Sequence, residues 1–188
     1  LSAPLVIDAF VEDRAHEDLL RPLLLRLASE ASCEATVRMR IARGGHSRAI
    51  AELASYQRVV QKGALPAPDL LVVAVDANCT RFAEARRLVA AQVSPQFMDR
   101  VIVACPDPHI ERWYLADPDS FHQVVGVRPR LRKRKCERDV YKRALATAVV
   151  QARHPPTLGG IEFAAELVRA MDFYRAGKAE PSLRALPY

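Results

Sequence analysis

The sequence predicts an α/β protein built on a doubly wound, mostly parallel, four-stranded sheet. Short apolar runs of strand length alternate with longer stretches of helical periodicity. One run, from Leu70 to Val75, is an almost unbroken series of Leu and Val, the habit of a strand buried on both faces. Two of the runs end abruptly on an acid, at Glu12 and at Asp76. In open α/β sheets the ligand sits at that end of the strands.

Each element follows from its local pattern. Leu5 to Glu12 reads as the first strand. A helix over about 15–31 follows, with Leu19, Leu20, Leu23, Leu24 and Leu27 at helical spacing. Pro22 inside it predicts a kink or a helix start nearby. Residues 34–42 alternate, with Ala35, Val37, Met39 and Ile41 on one side and Thr36, Arg38 and Arg40 on the other. That is a half-exposed strand at or near a sheet edge. Gly44-Gly45 breaks the chain as a turn, with phosphate cradling as the alternative reading. Ser47 is then placed to cap a helix reaching about Lys62.

The buried strand comes next, after a loop over 63–68. A helix over 80–93, a strand over 100–104 and a turn forced by Pro106-Asp107-Pro108 follow. Short helices are expected over 109–116 and 117–125. In them His109 reads as a capping or packing group, Arg112 as solvent-facing and Trp113 as core. Alternation of strand and helix implies right-handed crossovers and the strand order 2-1-3-4. Beyond residue 126 the pattern turns helical, with helices over 138–153 and 161–174, separated by Pro155-Pro156 and Gly159-Gly160, and a tail over 180–188. The expected organisation is an α/β domain over 1–125 and a basic helical extension over 126–188 packed on the same domain.

The charge is unevenly placed. The whole chain of 188 residues carries +6, yet 126–143 alone holds nine Lys and Arg (Arg128, Arg130, Arg132, Lys133, Arg134, Lys135, Arg138, Lys142, Arg143) against two acids. With Tyr141 among them, these residues suit a polyanion, whose phosphates they would neutralise regardless of sequence. Cys33, Cys79, Cys105 and Cys136 lie far apart with no CxxC or zinc spacing, which points to reduced thiols. No apolar run approaches the roughly 20 residues of a membrane span, and no basic-then-apolar leader pattern opens the chain. No membrane role and a cytoplasmic location are expected.

The acids suggest the chemistry. Glu12, Asp76 with Asn78, and Glu111 all fall after predicted strands, and in the order 2-1-3-4 Glu12 and Asp76 face one another. Carboxylates converging in this way repel unless a cation or a proton lies between them. An oxygen donor set suits Mg²⁺ or Mn²⁺. The competing reading makes Asp76 only the cap of the helix that follows. His16 reads as a partly exposed helix residue, with metal ligation as the alternative.

Four segments carry a resemblance: Phe-Val-Glu-Asp-Arg-Ala-His-Glu (10–17), Val-Asp-Ala-Asn-Cys (75–79), Pro-Asp-Pro-His-Ile-Glu-Arg-Trp-Tyr-Leu-Ala-Asp (106–117) and Lys-Cys-Glu-Arg-Asp-Val-Tyr-Lys (135–142). In order and spacing they resemble small stand-alone toprim-like proteins. These are related to the toprim domains of topoisomerases, bacterial primases and overcoming-lysogenisation-defect nucleases. The resemblance implies a toprim-like sheet, Glu12 as general acid/base, and Mg²⁺ or Mn²⁺ on Asp76 and Asn78, with Glu111 or Asp13 restoring charge. Asp13 stands where the general pattern has Gly, and Asn78 where it has a second Asp. Asn78 keeps a donor oxygen and removes one negative charge.

The expected function is therefore metal-dependent cleavage of nucleic acid, DNA in preference to RNA, with Lys135 and Lys142 stabilising charge at the scissile phosphate. Arg128, Arg130, Arg132, Lys133, Arg134 and Arg138 would bind the backbone. By resemblance, the protein would work beside an ATPase in a bacterial defence-type system. The alternatives are a non-catalytic nucleic-acid-binding or scaffold subunit, and a phosphotransfer enzyme acting on a small nucleotide.

Overall fold

A computed structural model describes residues 3–42, 44–131, 136, 137, 139–155 and 157–186. Its strands β1 (Leu5–Val11), β2 (Ala35–Ile41), β3 (Leu70–Ala74) and β4 (Val101–Ala104) form one all-parallel sheet in the order β2-β1-β3-β4, as the sequence implies. Between and after them run α1 (Arg14–Glu30), α2 (His46–Gln61), α3 (Phe82–Ala90), α4 (Glu111–Tyr114) and α5 (Pro118–Val125). Among the described residues no helix is long and apolar enough to cross a membrane.

Side chains alternate along each strand, so the sheet has two apolar faces. Ile7, Ala9 and Val11 of β1 turn with Val37, Val72 and Ala104 toward α1, which covers them with Leu19, Leu20, Leu23 and Leu24. Phe10, Leu71, Val73 and Val103 turn the other way, against Leu53 and Tyr56 of α2 and Ala85 and Val89 of α3. The run from Leu71 to Val75 is at most 1 % exposed, the double burial that its composition predicts. Helix α1 passes through Pro22 without a break. A proline in a helix interior costs about 3 kcal/mol, and four buried leucines at about 1.5–3 kcal/mol each outweigh it.

The edge strand β2 alternates as expected, and its polar side has work of its own. Arg38 grips the buried Asp8 carboxylate with two hydrogen bonds of 2.6 and 2.9 Å. The Tyr56 hydroxyl donates to the same carboxylate. A central-strand acid is tolerated here because its oxygens are bonded on several sides.

Several expected boundaries are corrected. The helix after β3 is shorter than 80–93, and its N-cap is Arg81, with no side-chain cap. Asp76 is therefore not that helix's cap. The helix expected over 138–153 is α6 (Val140–Gln151). The single helix expected over 161–174 is instead a 3₁₀ turn (Ile161–Phe163), α7 (Ala164–Ala170) and α8 (Phe173–Ala179). Asp172 causes the restart, accepting the Arg175 N–H at 2.8 Å as a new N-cap. Part of the tail is helical, as α9 (Pro181–Arg184).

The C-terminal helices dock through specific bonds. Arg26 of α1 donates to the Met171 carbonyl at 2.8 Å and stacks 4.1 Å from the Phe173 ring centre. Asp117, capping α5, accepts the Asp172 N–H and the Arg175 guanidinium, both at 2.9 Å.

Candidate metal centre

Parallel register decides where the acids meet. Val11 pairs with Ala74, so β1 and β3 stop at one level and Glu12 and Asp76 leave the sheet side by side. The Asp76 N–H donates to Glu12 Oε2 at 3.1 Å. Burial, and then the neighbouring Asp76 charge, push the Glu12 carboxyl above its ordinary value. Gly45 stands on the other side of Glu12. A Cβ there would lie 3.8 Å from Glu12 Oε1, and its φ of +77° favours glycine.

Asp76 is held from three directions. Its Oδ1 accepts the Ile110 N–H at 2.9 Å, and its Oδ2 pairs with His109 Nδ1 at 3.0 Å. The turn after β4 delivers both groups. It is fixed to the end of β3 by the Ala77 N–H on the Pro106 carbonyl and the Asn78 N–H on the Pro108 carbonyl, each at 2.9 Å. The third neighbour is His16, whose Nε2 lies 3.1 Å from Asp76 Oδ1. Burial works against the Asp76 charge, but the two histidines hold its pKa below the ordinary value. The Asp76 hydrogen bond in turn raises His109.

His16 corrects the sequence expectation of a partly exposed residue: it is 0 % exposed. Asp13 caps α1 by accepting the His16 N–H at 3.1 Å, and the same Oδ1 pairs with His16 Nδ1 at 2.8 Å. Among the described residues Nε2 makes no hydrogen bond of good geometry, although Asp76 Oδ1 lies 3.1 Å away. Burial disfavours the imidazolium, yet Asp76 and Asp13 together raise the His16 pKa to about 10. A protonated His16 ring would thus balance the charge of the converging acids. One donor atom each from Glu12, His16 and Asp76 lies within 4.8 Å of the other two.

No protein-family model, curated protein or solved structure matches the chain.

The other sequence-predicted residues divide into three groups. Asn78, Glu111 and Lys142 line a cavity of about 440 Å³ with Asp76 and His109. Asn78 there has a φ of +52°, and its amide donates to the Asp76 carbonyl at 3.2 Å. Burial raises the Glu111 carboxyl, and Lys142 reaches the cavity from α6. Arg128 and Arg130 stand apart from that cavity. Arg128 pairs with Asp119 at 2.5 Å, and Arg130 lines a separate hollow with Glu137 and Arg143. Arg132, Lys133, Arg134, Lys135 and Arg138 lie outside the described residues.

A larger groove, about 990 Å³, runs from Glu12 along α1 past Arg14, Glu17, Arg21 and Gly44. Its arginines are paired within the helix, Arg14 with Asp18 at 3.3 Å and Arg21 with Glu17 at 3.1 Å. Among the described residues that line it, four acids face two arginines, so these residues supply no excess positive charge for a phosphate backbone.

Of the residues read as structural, Trp113 is core, 0 % exposed, and its indole N–H donates to Ser182 Oγ at 2.8 Å. Arg112 is not solvent-facing as expected, for it pairs with the buried Glu180 and donates to the Tyr141 hydroxyl at 3.3 Å. The sequence reading gives His16 metal ligation as its alternative and His109 a capping or packing role; what it lacks is the contact of both with Asp76.

Proposed function

We propose that the protein hydrolyses phosphodiester bonds in nucleic acid, with a divalent cation held at Glu12 and Asp76. The observation that carries this reading is the meeting of Glu12, His16 and Asp76 within 4.8 Å at the C-terminal edge of the sheet. Lys142, from the basic tract, opens into the cavity beside them. The residues present fit a cation: two half-buried carboxylates share a corner, and a fully buried imidazole nitrogen in it has no hydrogen-bond partner among the described residues. Once bound, the ion would polarise a phosphate and lower the pKa of a water.

The chain's own groups would do the rest. Glu12, the partly buried carboxylate of the pair, would take the proton from the attacking water. His109 and the Ile110 N–H hold Asp76 in place. Lys142 offers positive charge to a phosphate in the cavity, and the basic tract holds the polyanion near. DNA in preference to RNA remains part of the proposal.

A second reading has its own observation. The raised pKa of His16 would let its ring balance the acids without any metal, as a binding subunit with a disused site would require. Labelled single- and double-stranded DNA and RNA, incubated with Mg²⁺, Mn²⁺, Zn²⁺ or chelator, separate the two. Hydrolysis is expected with a divalent ion, is lost with chelator, and falls by roughly 10²–10⁴-fold in Glu12→Gln. Salt-sensitive binding with no cleavage under any ion would put the binding subunit in its place.

A further inference from the structure

The geometry points to His16 Nε2 as a metal ligand, and hence to a transition-metal cation of the Mn²⁺ or Zn²⁺ class, in preference to Mg²⁺, at this site. The inference rests on the reading that the cleft holds a divalent cation and is independent of what the protein cleaves.

Three observations converge on it. First, the ring is wholly buried, and its Nε2 lies 3.1 Å from Asp76 Oδ1 without hydrogen-bond geometry to any of the described residues, in one group of donor atoms with Glu12. Second, the ring is held by its far nitrogen. Asp13 Oδ1 takes Nδ1 at 2.8 Å, and this carboxylate is itself fixed as the cap of α1 by the His16 N–H. Carboxylate to Nδ1, with Nε2 turned toward an ion, is the arrangement by which proteins orient metal-binding histidines and strengthen them as ligands. Third, the remaining donors are two carboxylates, Glu12 and Asp76, on different strand ends. One imidazole nitrogen with two carboxylates is a mixed set. Mg²⁺ favours oxygen and retains its waters, whereas imidazole suits the later first-row ions.

A purely structural role gives His16 a different behaviour. An imidazolium that only neutralises Asp13 and Asp76 would stay off any cation, and an all-oxygen ion would bind through Glu12, Asp76 and Asn78. Pulsed electron paramagnetic resonance of the Mn²⁺-loaded full chain distinguishes the two. Modulation from a directly bound ¹⁴N is expected in the wild type and in His109→Gln, and is absent in His16→Gln. Calorimetric titration should show Mn²⁺ and Zn²⁺ binding tighter than Mg²⁺. Asp13→Asn, which retains a capping side chain, should weaken Mn²⁺ by roughly 10–100-fold.

Should His16→Gln not fold, the wild-type and His109→Gln spectra and the Asp13→Asn titration still decide. Bound Mn²⁺ without nitrogen coupling, or coupling that disappears with His109, overturns the inference while leaving a metal nuclease possible. Nitrogen coupling without cleavage upholds it and removes the nuclease. A folded wild type that binds no divalent ion overturns both.

Discussion

His16 Nε2 stands 3.1 Å from Asp76 Oδ1, joining the first turn of α1 to the end of β3 at a point no solvent reaches on the His16 side. Burial opposes the ring's charge, and Asp76 and Asp13 overcome it, so the proton stays on until about pH 10. A pKa raised on folding stabilises the folded state fully below the ordinary value of 6.5, and that stability is lost as pH rises through the folded value. With chelator present, thermal melting of the wild type should decline from about pH 6.5 to pH 10 more steeply than that of His16→Gln. Parallel declines would show that the ring is not charged.

Asp76→Asn should lower stability in the metal-free protein. Mutual repulsion of the acids alone would make this change neutral or favourable. The bonds from Ile110 and His109 and the charge of His16 reverse that sign. Removing the carboxylate leaves buried donors short of a charged partner, at a cost of roughly 1–3 kcal/mol. Urea denaturation at neutral pH measures it, and a gain in midpoint would contradict the account.

Asp117 ties α5 to α8. Burial works against its charge, but Arg175, Ser120 and the Asp172 N–H hold its pKa down to about 2. A depressed carboxylate stabilises the fold above its ordinary value and loses that contribution as pH falls through the folded pKa. Asp117→Asn should cost about 2 kcal/mol near neutrality, a figure discounted because Arg175 is half exposed. The wild type should converge on the variant between about pH 4 and pH 2. Equal stabilities at pH 7 would show the ion pair to be idle.

Much of this molecule can be read from local pattern. The burial of β3 is visible in Leu70 to Val75, the edge position of β2 in its alternation, and the level of Glu12 and Asp76 in their placement after apolar runs. His16 had a signal too. It continues the stripe of Leu20, Leu23, Leu24 and Leu27 one turn upstream, so the helix was bound to bury it. Asp13, three residues earlier, had the spacing of an N-cap. His109 carried no such mark, because its bond to Asp76 depends on a turn stitched to another strand end by backbone hydrogen bonds. The restart at Asp172 was hidden by helical periodicity that persists across the break, while the cap that interrupts it is a single residue.

On the proposed function the basic tract would supply affinity and the acids chemistry. Alanine at Arg132, Lys133, Arg134 and Lys135 together should weaken nucleic-acid binding and flatten its log–log salt dependence by roughly 0.7–0.9 for each phosphate no longer neutralised. Folding of the sheet should be unaffected. Fluorescence anisotropy across a salt series reads both quantities, and an unchanged slope would make the tract a solvated face only.

On the proposed function, Glu12, His16 and Asp76 would share one divalent cation. Crystals grown with Mn²⁺ and measured at its absorption edge test it most directly. A single strong anomalous peak is expected in the cleft, about 2.0–2.3 Å from a carboxylate oxygen of Glu12, one of Asp76 and Nε2 of His16. A cleft without a peak, with His16 still resting against Asp76 in saturating Mn²⁺, would contradict it.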